Sequence, residues 1–395
     1  MRACLLLVPV LAMAQEVPAG TEISIRLTSS VSTSSAKAAD PVAAVVIAPA
    51  MVEGRAAIAA GAAVHGTVEK VTPSSAPDVR AALVLVFHEI VIGGQTLQMA
   101  AQVSAVDNAR EKVDQQGQIE GILASETITG QLDAGLDKLS DQYSGFASVL
   151  SAAKKAVLQK ASADISYSPG VEMTLRLTKP LTVPPVRIPG PPAWPSGGWS
   201  LLFRSIGREP FQTTAQNPPK PSDLTNLLIV ATEDELRRAF SEAGWSGAAR
   251  LNPLSKFETL KALAEDRGYD EAPVSILLLD GKPPDLVFEK TNDTFARRHH
   301  LRIWQRSGAI AGKPVWLVAA THDTGINFSE AQRNFIHRID SQIDRERDKV
   351  VNDLLFTGRV KGFQLVDRPQ VPRETQNATG DRIETDGRIA VLLLD

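Results

Sequence analysis

Four of the six histidines, His299, His300, His322 and His337, fall in one stretch of the chain, close to Arg297, Arg298 and Arg302. Read as a strand, this stretch puts His299, Leu301 and Ile303 on one face. Arg298, His300, Arg302 and Trp304 fall on the other, because side chains alternate along a strand. The second face is too polar for a core. Guanidinium and imidazole groups side by side offer positive charge and several donors, which is what a phosphate or carboxylate group needs. His322 and Asp323 follow a largely apolar strand, and Asp323-Thr324-Gly325 has the composition of a sharp turn. Strand ends of this kind line sites in α/β folds. The candidate ligand-binding residues are therefore Arg297, Arg298, His300, Arg302, His322 and Asp323. The competing reading is a salt-bridge network in which these cations pair with carboxylates of the same chain.

A second set is acidic. Asp344 and Asp348 stand four residues apart and share a helix face. With His337 and Asp340 they offer imidazole and oxygen ligands to a divalent metal. Arg338, Arg345 and Arg347 oppose a cation there, and acidic residues at a helix start also serve as caps and complement the helix dipole. A catalytic metal needs at least three converging ligands and an open position. An anion site needs only donors and charge, so anion binding is the stronger expectation and no cofactor is expected. The sequence contains no GxxxxGK[ST] loop, no HExxH helix and no Gly-x-Ser-x-Gly elbow. Trp245, Trp304 and Gly325 read as structural. His88, beside Phe87 in an apolar run, reads as a partly buried core histidine.

Elements must hold these residues in place. Thr21–Thr28 alternates apolar and polar residues as a strand does, and 42–48, 63–71, 82–91, 96–103 and 171–178 continue the pattern. Gly93-Gly94 marks a hairpin turn, and Gly61 and Gly66, which flank 62–65, mark tight turns or close packing. The segment 18–28 is echoed by 169–178, each a Pro/Gly entry into a strand ending Arg-Leu-Thr. One reading of the echo is two strands that pair and close a sheet. Residues 133–163 have helical spacing. Seven prolines between 180 and 195, then Ser196-Gly197-Gly198, read as a semi-rigid spacer. Beyond it strands alternate with helices, the first opened by a Thr232…Glu235 capping box and the best spanning Ser341–Leu355.

The expected fold class is α+β. An N-terminal antiparallel β-domain with a helical insertion is followed by a mixed α/β domain. The expected divisions are 1–14, a signal peptide; 15–179, β-rich, with helices near 133–163; 180–198, linker; 199–368, α/β domain; and 369–395, a C-terminal extension with a final strand. Arg2, the apolar run 5–11 and Ala12-Met13-Ala14 give 1–14 the form of an export leader. Cys4, inside it, is the single cysteine, so intrachain disulfides and cysteine-rich metal sites are excluded. With 42 Lys and Arg against 45 Asp and Glu, the formal charge of −3 gives no field for non-specific nucleic-acid binding. No run of apolar residues reaches the length of a transmembrane helix.

The stretch from 199 to 368 resembles the LssY-like C-terminal domain family. The resemblance rests on Phe240-x-x-Ala243-Gly-Trp245, Leu251-Asn-Pro-Leu-Ser255, Pro273-Val-Ser275 and Arg297-Arg-His-His-Leu-Arg302-x-Trp304. It rests further on Thr321-His-Asp-Thr-Gly325 and on His337-x-Ile339-Asp340-x-x-Ile343-Asp344-x-Glu346-Arg347-Asp348. The family is bacterial, and some members carry the domain beside a membrane phosphatase-type domain. A β-rich stretch stands in that place here, so a lipid-phosphatase role does not carry over. The resemblance implies no catalytic set. Residues 17–27 also resemble a bacterial envelope segment of the Val-Pro-Ala-Gly-Thr-x-x-x-x-Arg-Leu type. The expectation is a periplasmic or secreted envelope protein, a binding or scaffolding module with an Arg/His/Asp-lined anion-binding cleft. Its expected partner is an anionic small molecule or an envelope protein. The alternative is a periplasmic hydrolase of a phosphorylated or acylated envelope compound, with or without a metal.

Overall fold

The computed structural model describes residues 14–76, 78–123, 163–185, 188–195, 203, 206–215, 219–247, 277–290, 297–329 and 334–395, without the side chains of 325–337. The expected helices near 133–163 lie outside the described residues.

Six strands of the first domain close on themselves. They are β1 (Glu22–Leu27), β2 (Pro41–Val46), β3 (Ala63–Thr72), β4 (Ala82–Ile92), β5 (Gln95–Val106) and β6 (Glu172–Leu177). Hydrogen bonding runs β4-β3-β2-β1-β6-β5 and returns from β5 to β4, every pair antiparallel. Closure leaves the ring without an unpaired edge. Alternation sends Ile23, Ile25, Leu27, Leu83, Leu85, Val103 and Leu175 into a shared core. The two echoed segments are β1 and β6, and they pair with Glu172 opposite Arg26 and Arg176 opposite Glu22. β6 also pairs with β5 and so completes the ring.

At Gly66 two strands approach too closely for a side chain. A Cβ there would fall against the Val86 carbonyl oxygen and within 2.9 Å of the Phe87 ring. Gly66→Val is therefore expected to lower stability by about 1–3 kcal/mol, read as a reduced denaturation midpoint. An unchanged midpoint would mean that β3 and β4 separate at no cost. His88 is exposed where a partly buried core histidine was expected. The register of β4 against β5 shifts between Phe87 and Glu89, so Phe87 alone turns into the core.

The second domain is a mixed sheet with helices on one face. Its elements are β7 (Leu227–Val230), α1 (Glu233–Glu242), β8 (Trp245–Gly247), β9 (Leu286–Lys290), β10 (Arg298–Ile310), β11 (Lys313–Ser329), β12 (Asn334–Ile339), α2 (Ile343–Phe356), β13 (Val360–Asp367) and β14 (Arg388–Leu394). The sheet order is β8-β9-β10-β11-β7-β14-β13, with β12 also on β11, and only β7 and β14 run parallel. The Thr232–Glu235 capping box that opens α1 is formed in both directions. Leu236 and Phe240 of α1 and Val350 and Leu354 of α2 pack on Ile229, Leu301, Ile303 and Val318. The opposite face carries Leu228, Trp304, Leu317 and Val391.

Three local expectations change. The final strand, assigned above to an extension beyond 368, lies inside the sheet between β7 and β13. Its residues Ile389–Leu392 are fully buried, so it belongs to the core of the domain. Asp323-Thr324-Gly325 is no turn, because β11 runs through it and absorbs the local irregularity as a register shift against β12. The proline-rich segment is held at both ends. Leu181–Val183 pairs with Gln15–Val17, and Trp194 packs on the second domain while the Pro192 carbonyl accepts from Phe363 N at 2.9 Å.

Candidate functional site

The two domains meet through charged side chains. β5 ends at Val106, and Asp107 and Asn108 follow at the rim of the barrel. Opposite them β10 and β11 place His299 and His322 side by side across the ladder. Both lie on the helix-bearing face, since His299 alternates in phase with Leu301 and Ile303. His299 reaches Glu346 Oε2 through Nδ1 at 2.7 Å and Asp107 Oδ2 through Nε2 at 3.0 Å. The His322 ring stacks on it at 4.1 Å between centroids and 17° between planes. Its Nε2 lies 2.9 Å from Asn108 Oδ1. Arg297 donates to the Ala109 carbonyl at 2.7 Å.

A second cluster lies alongside. Glu172 opens β6 and receives Arg26 at 2.8 Å, Lys290 at 2.9 Å and also Lys349. Lys290 reaches Asp353 at 2.8 Å, and Trp245 Nε1 donates to the same carboxylate at 3.0 Å. Glu346, Lys349 and Asp353 recur at helical spacing, which turns one face of α2 toward the barrel.

The electrostatics follow from this packing. Burial alone would lower the pKa of His299, but the carboxylates of Glu346 and Asp107 outweigh it and raise it well above the ordinary value. Both of its ring nitrogens then donate. Burial would raise Asp107, yet His299 and Lys349 hold it well below the usual carboxylate range. His322 is pushed down to about 4 by burial and by the adjacent His299 cation. It is neutral at pH 7.

An open groove of about 730 Å³ runs along the seam. Asp107, Asn108 and Glu172 line it from the barrel, and Arg297, His322, Thr324, Arg345 and Lys349 line it from the second domain. Arg345 is largely exposed, its side chain 71% accessible, and its guanidinium lies 3.9 Å from Asp340.

Residues 208–389 match the family described as LssY C-terminus. The second domain is an LssY C-terminal domain. No curated protein matches the chain. Among solved structures, ComB10 of the Com type IV secretion system of Helicobacter pylori is similar at 14% identity and a TM-score of 0.24, over 44% of this chain and 93% of that one. No helix among the described residues is long and apolar enough to cross a membrane.

Within the LssY domain the residues singled out from the sequence divide between two faces. Arg297 and His322 line the groove. Arg298, His300, Arg302 and Asp323 lie on the other side of the sheet and are buried. Arg298 pairs with Glu289 at 3.3 Å and Asp323 at 3.2 Å, His300 with Asp323 at 3.0 Å, and Arg302 with Asp223 at 2.9 Å. Their carboxylate partners come from the sheet and from the strand before it, and not from Asp340, Asp344 or Asp348 of the acidic set. Trp304 is buried on the same face and donates to the Lys282 carbonyl at 3.1 Å.

The acidic set of α2 has its own partners. Arg347 pairs with Asp344 at 3.1 Å, Asp348 at 2.8 Å and Asp386 at 2.8 Å. Burial and, against it, the Arg347 and Arg388 guanidinium groups leave the Asp386 carboxyl well below its ordinary range. Asp340 accepts from Gln342 N at 2.9 Å. The side chain of His337 is outside the described residues.

Sequence reasoning passed over His299, Asp107, Asn108, Glu172 and Lys349 as site residues. The one local signal was His299 itself, a titratable residue in phase with an apolar stripe and with no neighbour in sequence to satisfy it.

Proposed function

We propose that this chain is an exported envelope protein that binds an anionic group in the groove between its barrel and its LssY domain. The observation that carries the reading is the groove itself, an open volume of about 730 Å³ lined by Arg297, Arg345, Lys349 and the His322 ring beside the carboxylates of Asp107, Glu172, Asp348 and Asp353. Guanidinium and ammonium groups at such a wall supply charge-assisted donors to phosphate or carboxylate oxygens. Export is supported by the leader-like residues 1–14 and by the bacterial envelope character that the family resemblance implies. The second reading is hydrolysis of a phosphorylated or acylated envelope compound. An imidazole on the groove wall beside Arg297 favours it, and turnover of a chromogenic phosphate ester would promote it.

Calorimetry of the full chain with inorganic phosphate tests the binding reading. Arg345→Ala removes a groove cation that is largely exposed and pairs only loosely within the chain, so the fold is expected to stand. Loss of one charge-assisted contact of about 1.4 kcal/mol weakens phosphate about tenfold. Phosphate binding that is unchanged in Arg345→Ala, or absent from the parent chain, would remove the groove as the anion site.

A further inference from the structure

We propose that Asp107, His299 and His322 form a site for a divalent transition metal that bridges the two domains. One ligand atom from each residue lies within 4.8 Å of the other two. Donors held about 2.0–2.2 Å from a tetrahedral ion stand about 3.4 Å from one another, so the three ligand atoms must draw together by up to about 1.4 Å to close the site. Two imidazoles and one carboxylate are the donor set of zinc, cobalt or ferrous ions rather than of calcium or magnesium.

The surroundings match a metal ligand more closely than a plain ion pair. Glu346 Oε2 lies 2.7 Å from His299 Nδ1, while Nε2 of the same ring turns to Asp107. A carboxylate behind a histidine in this way fixes the tautomer and aims the opposite nitrogen at a metal. The other Glu346 oxygen, Oε1, is buried with no hydrogen-bond partner. That oxygen is an unsatisfied buried acceptor, and a dication on the far nitrogen of the His299 ring would strengthen the hydrogen bond that Glu346 receives from Nδ1. His322 stacks on His299 with Asn108 Oδ1 against its Nε2, so the two rings must tilt toward each other for both lone pairs to meet one ion. An ion would replace the proton between His299 Nε2 and Asp107 Oδ2, and that proton leaves to solvent. The Lys349 ammonium, 3.5 Å from the same Asp107 oxygen, opposes the ion, but its closer partner is Glu172.

The placement has a structural consequence. Asp107 belongs to the barrel rim and both histidines to the LssY domain, so one ion would join them. Asp107 and His322 also line the groove, so an open coordination position would face whatever the groove binds. The inference does not depend on the anion reading.

The test uses the full chain after chelator treatment and dialysis. Cobalt is titrated and followed by its visible d–d bands, and zinc is titrated by calorimetry. The expected result is one equivalent bound with micromolar or tighter affinity and cobalt bands typical of nitrogen and oxygen ligation. His322→Ala and, independently, Asp107→Asn are expected to weaken binding at least a hundredfold. His65→Ala, an exposed histidine on the barrel, is expected to leave it unchanged. A parent chain that binds neither ion stoichiometrically overturns the proposal whatever the variants do. So does equal affinity in His322→Ala when circular dichroism shows it folded. Metal binding without phosphate binding would sink the anion reading alone, and phosphate binding without metal binding would sink this one alone.

Discussion

Glu172→Gln is expected to destabilise the folded chain by about 3–5 kcal/mol, the loss that follows when a buried ion cluster keeps its cations and loses their counter-charge. Glu172 faces Arg26 of the barrel and Lys290 and Lys349 of the LssY domain. Its side chain is 9% exposed and that of Lys290 is 8% exposed, so water replaces little of the lost attraction. Urea denaturation at pH 7 measures the change. A variant within 0.5 kcal/mol of the parent would mean that this cluster does not couple the domains.

The same residue predicts the acid side of the stability curve. Burial would raise the Glu172 carboxyl, but Lys290, Lys349 and Arg26 outweigh it and hold it far below its ordinary range. A group depressed on folding contributes stability above its unfolded pKa, roughly 4.3 for glutamate, and loses it as the pH falls toward the folded value. The parent chain should therefore lose stability progressively below about pH 4.3, and Glu172→Gln should lose less over the same window.

Arg302→Ala is expected to cost a similar amount, about 3–5 kcal/mol, for the converse reason. Its guanidinium meets Asp223 at 2.9 Å with side-chain exposures of 3% and 6%. Removing the arginine strands a buried carboxylate beside the His300 and Asp323 network. Replacing both partners with apolar residues, Arg302→Met with Asp223→Leu, should recover most of the loss, because no unpaired charge remains. Thermal denaturation of the single and double variants reads this directly. A single variant as stable as the parent would remove the buried network as a determinant of the fold. Where the double variant folds, its phosphate affinity should match that of the parent, since Arg302 lies on the sheet face away from the seam.

The barrel strands were legible because their side chains repeat with period two between glycine turns, and both properties are local. The matching Arg-Leu-Thr segments even disclosed the pair that closes the ring. The first helix of the LssY domain was legible for the same reason, its cap being written within four residues. The face of β10 is polar as read, but it is buried where the reading kept it out of the core, and its partners were not legible because Asp223 lies 79 residues from Arg302 and Asp323 lies 23 from His300. The seam was harder still. His299 finds Glu346 at a separation of 47 residues and Asp107 at 192, and no periodicity joins positions in different domains. The final strand looked like a tail because its parallel partner, β7, lies far upstream, and only the folded sheet reveals that it runs through the core.

The central claim is that the groove between the barrel and the LssY domain is the binding surface. Hydrogen–deuterium exchange of the full chain, with and without inorganic phosphate, tests it most directly. Exchange reports local opening, which a bound ligand suppresses where it makes contact. The account predicts slower exchange in phosphate at residues 105–109, 322–324 and 343–353, on both sides of the seam. Protection confined to one domain, or appearing at the 374–384 hairpin while the seam is unchanged, would contradict it.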